Sequence, residues 1–347
     1  MGSLVAGRPV TPATPGVSEV RSEAFASHEP VQVMTVPLQL PGMRQRENLR
    51  VSVVQGMAVF DGDIVLGPVH ELPMRYGGPQ TQALPPGVLG AAASTKAHFW
   101  PGGVIPYEVH PSVSPEHRGH VDWARAALVG SPLTLRPRTS GDQDYVVFTE
   151  ENAGSHGRCS SWIGRIGGPQ SIWVATCGRG SFLHEVLHTA GLYHEQSRPD
   201  RDDHVTVVFD EISPSAVNNF QIVKSAQLLG PYDYSSVMHY GRKAFSKSGK
   251  DTIIPKLEGA SIGQRAGLSD GDRAGLIALY GPPPAPPSQP PPAQPPAQPP
   301  AQPPAQPPAQ PPAQPPFSFR LPGLAPPPAP PPPAPATPPI RLPPMPR

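Results

Sequence analysis

The spacing of apolar and polar positions changes repeatedly along this 347-residue chain, and each change predicts an element. Short alternations at Val31-Gln-Val-Met and Val51-Ser-Val-Val predict strands between Val31 and about Leu66, with little core of their own. Gly77-Gly-Pro-Gln and Leu84-Pro-Pro-Gly predict a loose linker, because glycine and proline interrupt both regular periods. Val104-Ile-Pro-Tyr-Glu-Val reads as a strand. Ser114 and Pro115 then supply an N-cap and a first-turn proline for a helix carrying Val121, Ala124, Ala127 and Leu128 on one side. Tyr145-Val-Val-Phe and Ser171-Ile-Trp-Val-Ala predict two more strands, a helix opens near Ser181, and a mixed region runs to Gly281. No apolar run approaches the ~18 residues that span a bilayer.

Composition divides the chain. Of 56 prolines, 34 fall between Pro282 and Arg347, where six consecutive Pro-Pro-Ala-Gln repeats run from Pro291 to Gln314. Proline donates no backbone hydrogen bond, so this tail favours a polyproline II spacer and builds no core. Residues 1–30, rich in Pro, Ser, Ala and Glu, read as disordered. Without the tail's Arg320, Arg341 and Arg347, the front part has 24 basic against 26 acidic residues, a net charge of −2 with no basic stripe. Nucleic acid is therefore not expected as a partner. Met1 to Val10 offers only Leu-Val-Ala before glycine and arginine intervene, which makes no recognisable signal peptide. Two cysteines, Cys159 and Cys177, leave a pair of unrelated thiols and a disulfide equally open.

The densest chemistry lies in His184-Glu-Val-Leu-His-Thr-Ala-Gly-Leu-Tyr-His. On a helix, His184 and His188 project from the same face and can share one ion. Glu185 sits beside the first ligand, where its carboxylate can reach water at the metal without ligating it. Gly191 allows a sharp left-handed turn that returns His194 as a third donor. Three neutral imidazoles leave a position open, the pattern of a catalytic zinc. Tyr234-Ser-Ser-Val-Met-His-Tyr follows about 50 residues on, and a methionine there fits the turn beneath a metzincin zinc site.

With these motifs the chain resembles the astacin family of metallopeptidases. The likeness runs through Trp100-Pro-Gly-Gly-Val-Ile-Pro-Tyr, Cys159-Ser-Ser-Trp-Ile-Gly-Arg, His194-Glu-Gln-Ser-Arg-Pro-Asp-Arg-Asp, Pro231-Tyr-Asp-Tyr-Ser-Ser, Ser236-Val-Met-His-Tyr and Ile262-Gly-Gln-Arg-Ala-Gly-Leu-Ser, covering residues 91–281. It implies an α+β, two-lobed metzincin catalytic domain with the zinc helix at the cleft, one Zn2+ per chain, and cleavage of peptide bonds in protein or peptide substrates. His184, His188 and His194 would hold zinc. Glu185 would be the general base, Tyr240 a switchable ligand that stabilises the oxyanion, and Met238 the apolar floor. His239 is expected to be structural. An extended substrate would pair with a strand edge near Ser171–Ala175.

The resemblance also implies a Cys159–Cys177 disulfide, hence an oxidising, extracellular setting despite the missing signal peptide. The family's second disulfide is absent, with Pro132 about where one of its cysteines would stand, so the two halves must hold by packing. Phe60-Asp-Gly-Asp matches a propeptide motif whose aspartate, here Asp63 and not Asp61, sits on the zinc and keeps the enzyme latent. Residues 31–90 are thus an expected inhibitory propeptide, cut between Gly90 and Ala91 by an activating protease or by self-processing, with Glu195 pairing with the new α-ammonium. Residues 282–347 are expected to act as a spacer or to meet a surface or partner. The rival expectation is an inactive metalloprotease-fold binding protein that presents a proline-rich ligand; the presence of Glu185 counts against it.

Overall fold

The computed structural model describes residues 32–77, 98–152 and 159–283. The expected disordered N-terminus, the Gly90–Ala91 bond and the proline-rich tail beyond Pro283 lie outside them. Chain contacts separate residues 1–287 from 288–347, and all that follows concerns the first unit.

A single nine-stranded sheet organises this unit. The N-terminal segment contributes an antiparallel meander: β1 (Gln32–Leu38), β2 (Glu47–Val54), β3 (Met57–Phe60) and β4 (Ile64–Pro68), followed by the short helix α1 (Leu72–Tyr76). Residues 98–173 add β5 (Val104–Val109), α2 (Pro115–Ala127), β6 (Thr134–Pro137), β7 (Tyr145–Thr149), β8 (Ser160–Trp162) and β9 (Pro169–Trp173). The spatial order is β1-β2-β3-β4-β8-β9-β7-β5-β6. The meander therefore continues the second half of the sheet through one short parallel pairing, Ile64 opposite Ser161 and Val65 opposite Trp162.

Strand order corrects one expectation. The strand at Ser171–Trp173 is not an edge, because β9 is flanked by β7 and β8. Within residues 98–283 the free edge is β8, and β4 lies along it. Alternation marks a strand's buried face but not its neighbours.

Helix α2 begins where the sequence predicts: Ser114 caps it by accepting from the His117 N–H, and Pro115 fills the first turn. Its Val121, Ala124 and Leu128 pack with Ile105, Val146, Phe148 and Ile172 of the sheet and with Phe182, Leu183 and Val186 of α3 (Arg179–Thr189). Residues Gly180 to Thr189 are all buried, so α3 runs through the core and not along its surface. Beyond Gly191, at φ 100°, the second lobe has few regular elements: α4 (Arg201–His204), a ribbon of β10 (Val205–Val207) with β11 (Ile253–Pro255), and α5 (Asp270–Tyr280). Its core gathers Val205, Ile212, Phe220, Tyr240, Phe245 and Ile253. This is the expected α+β, two-lobed architecture.

Packing and hydrogen bonds join the lobes. Leu276 of α5 is buried in the first lobe's core, Arg273 donates to the Val129 carbonyl, and the Tyr280 hydroxyl donates to the Ala190 carbonyl. The N-terminal strands have a shared core, not a separate one: Leu38, Leu40, Met43, Phe60 and Leu66 pack with Ile163, Val223 and Ala226. Among the described residues, no helix is long and apolar enough to cross a membrane.

Cys159 and Cys177 form a disulfide that ties the start of β8 to the residue before the N-cap of α3. Replacing both by alanine should lower unfolding stability by about 3 kcal/mol, the loop-closure value for 18 residues of separation. Denaturant titration of the folded chain measures it; an unchanged midpoint would show that surrounding packing alone fixes this loop.

Candidate metal centre

Four donors converge between α3 and the β3–β4 hairpin. His184 and His188 lie one turn apart on α3, and the turn at Gly191 brings His194 across to them. A Cβ at Gly191 would press on the Phe99 ring, so both the positive φ and the space favour glycine there. The hairpin tip Asp61-Gly62-Asp63 delivers the fourth donor. Asp63 lies 3.5 Å from His184 Nε2, 3.4 Å from His188 Nε2 and 3.3 Å from His194 Nε2.

Each imidazole is aimed by its other nitrogen. His184 Nδ1 donates to the Val237 carbonyl at 2.9 Å, and His188 Nδ1 donates to the Leu192 carbonyl at 2.7 Å. His194 Nδ1 donates to Asp61 Oδ2 at 2.9 Å. With the Nδ1 protons committed, the Nε2 lone pairs face one another across 3.0 Å (His184–His194) and 3.3 Å (His188–His194). Such crowding is repulsive unless a cation lies between. Donors about 2.0–2.1 Å from a tetrahedral zinc stand roughly 3.4 Å apart. The donor atoms, all buried and within 4.8 Å of one another, fit that ion.

Electrostatics follow from burial. Burial alone would push the Asp63 carboxyl up, but the imidazoles, His194 foremost, hold it well below the usual range. Burial likewise disfavours charge on His194, yet Asp63 and Asp61 on either side raise it to about 10. His184 is driven far down, by burial first and His188 next, which keeps it a neutral donor.

The other expected residues surround this centre. Glu185 is buried directly after His184; its main-chain carbonyl accepts from Ser161 Oγ, and its carboxylate lies 3.5 Å from the Cys159 sulfur. Met238 is buried below, its carbonyl accepting from the Glu195 N–H. Tyr240 stacks at a tilt 4.5 Å from the His194 ring, and its hydroxyl donates to the Asp61 carbonyl. His239 is structural: Nδ1 donates to the Tyr240 carbonyl, Nε2 accepts from the Tyr232 hydroxyl, and burial lowers the ring to about 4. Glu195 accepts from the Asp233 N–H and pairs with Arg198, but burial still lifts its carboxyl to about 7. It borders a pocket shared with Leu192, Asp233, Met238, Asp272 and Gly275.

Sequence reasoning set Asp61 aside, yet the hairpin buries it completely against His194. It also missed Asp272, which caps α5 and accepts from Ser236 Oγ and the Val237 N–H, locking the methionine turn to that helix. The Val237 and Leu192 carbonyls carry no side-chain signal. Two aspartates on one hairpin tip was the signal available for Asp61.

Residues 92–281 match the family model for the astacin peptidases, described simply as Astacin. The chain belongs to the astacin family of zinc metallopeptidases. Among similar proteins, the Caenorhabditis elegans zinc metalloproteinase nas-15 is 38% identical over 199 residues, covering 55% of this chain and 34% of that protein. Human Tolloid-like protein 1 is 35% identical over 221 residues, covering 60% of this chain and 21% of the relative. The chain thus spans well under half the length of these relatives. A solved structure, high choriolytic enzyme 1, a hatching enzyme zinc-protease from Oryzias latipes (medaka), aligns with a TM-score of 0.49 at 33% identity, over 54% of this chain and 96% of that one. In this astacin the three histidines, Glu185, Met238 and Tyr240 fall inside the matched region, whereas Asp61 and Asp63 precede it.

Proposed function

We propose that this astacin is a zinc-dependent endopeptidase in its latent form, with residues 31–90 as an inhibitory propeptide and 91–281 as the peptidase domain. The observation that carries the reading is the placement of Asp63 against all three imidazole Nε2 atoms, which completes a four-donor set from outside the matched region. A carboxylate there occupies the position that substrate and water need.

Zinc in such a site supplies Lewis-acid polarisation of a peptide carbonyl and lowers the pKa of water to about 7. The chain's own residues do the rest. His184, His188 and His194 would hold the ion, and Glu185 would take the proton from the attacking water and hand it to the leaving amine. Tyr240, once released from the Asp61 carbonyl, would donate its phenol proton's hydrogen bond to the developing oxyanion. The edge of β8, vacated by β4, would pair with an extended substrate backbone.

Cleavage between Gly90 and Ala91 would free an α-ammonium. Glu195 is its candidate partner, since a carboxylate lifted to about 7 by burial gains from an added cation. The disulfide favours an oxidising, extracellular setting. The proline-rich tail would serve as a spacer or meet a partner.

Three results test this. Glu185→Ala should abolish peptide hydrolysis, by at least a hundredfold, while the protein keeps stoichiometric zinc; near-normal turnover removes Glu185 as the base. Asp63→Ala in the full chain should give activity or self-cleavage without processing, and an equally silent variant would assign latency to steric cover. N-terminal sequencing of the active species should return Ala91. A fully active start more than two or three residues away would reject both the cut site and the role of Glu195.

A further inference from the structure

His194 differs from the other two histidines in where its outer partner comes from. His184 and His188 are aimed by the Val237 and Leu192 carbonyls, which belong to the peptidase part itself. The one hydrogen bond at His194 Nδ1 among the described residues comes from Asp61, on the N-terminal hairpin. That carboxylate is fully buried and also accepts from Ser197 Oγ at 2.5 Å, while the Asp61 carbonyl accepts from the Tyr240 hydroxyl. Asp61 adopts φ 51° and Gly62 φ 95°. A left-handed backbone at a non-glycine residue persists only where surroundings over-determine it, and here three contacts do so.

We infer that Asp61 is a positioning residue for the metal site, lent by the propeptide: its carboxylate orients and strengthens His194 as a ligand only while the chain is latent. The inference rests on the latent-enzyme reading and deepens it. One hairpin grips the centre twice, with Asp63 on the ligand side of the His194 ring and Asp61 on the outer side. A carboxylate behind a metal-bound imidazole fixes its tautomer and raises its basicity, and losing such a partner typically costs about 10- to 100-fold in metal affinity. The latent chain is therefore the form best able to capture and keep zinc. Withdrawal of the hairpin removes a ligand, relaxes His194 and frees Tyr240 together.

The test is zinc affinity of the full-length chain, by competition with a chelator, for wild type, Asp61→Asn and Asp61→Ala. Asp61→Ala should bind zinc about 10- to 100-fold more weakly. Asp61→Asn, which keeps the shape and an acceptor but no charge, should lose less, and it carries the test if the alanine variant does not fold. The visible absorption of the Co2+-loaded chain should shift in both variants, a change that a purely packing role would not produce. Affinities within twofold of wild type and an unshifted cobalt spectrum overturn the inference. Asp63→Ala, measured in parallel, separates it from the reading beneath it. Weakened zinc binding in Asp63→Ala with none in Asp61→Ala rejects only the positioning role. Unchanged affinity and unchanged latency in Asp63→Ala reject the latent-enzyme reading itself.

Discussion

Three buried imidazole lone pairs directed at one point set the terms for everything around them. A neutral histidine presents Nε2 as a donor only while Nδ1 carries the proton, and a buried N–H must find an acceptor. The fold meets this demand three times with three separate pieces of chain: the methionine turn at Val237, the glycine turn at Leu192, and the hairpin tip at Asp61. Displacing any of them lets a ring rotate, and the metal geometry goes with it. The glycine turn supplies an acceptor at Leu192 and returns His194 within a few residues, which is why the ligand motif is so compact.

Much of the remaining architecture holds those acceptors still. Asp272 takes hydrogen bonds from Ser236 and Val237 while capping α5, so the turn above the site is tied to a helix whose Leu276 lies in the opposite lobe's core. Gly180 and Gly271 sit where any Cβ would collide with Arg265 and Asp233, letting α3 and α5 approach that same region. On this view α5 replaces, by packing and by Arg273, the covalent tie between halves that the chain lacks.

The sequence made the centre legible wherever chemistry coincided with local spacing. His184 and His188 four apart, Gly191 before His194, and Ser114 before Pro115 are helix and turn rules, and the structure follows them. The disulfide pairing was legible only through resemblance, since two cysteines 18 apart carry no geometry. What failed to show was anything set by non-local neighbours. Alternation at Ser171-Ile-Trp gave a strand but could not say that β8 and β7 cover both its sides. Motif logic asked which carboxylate reaches the ion and chose Asp63, but it had no reason to ask what stands behind His194.

The grip of the hairpin on the centre raises the question of how it lets go, and the interface suggests the answer. β4 adds only two residue pairs to β8, so sheet pairing holds it weakly. Most of the hold is elsewhere: Phe60 buried among Ile163 and Val223, Glu47 accepting from the Lys224 and Ser225 N–H groups, and Gln221 exchanging hydrogen bonds with the Arg50 backbone. All of these are intramolecular while the chain is continuous. A cut near Ala91 would make them intermolecular, and the segment would then gain translational and rotational freedom worth an estimated ~4–15 kcal/mol at standard concentration. That gain acts on every contact at once. Latency on this design therefore depends less on the strength of the Asp63 contact than on the covalent continuity that keeps Asp63 and Asp61 at high local concentration beside His194.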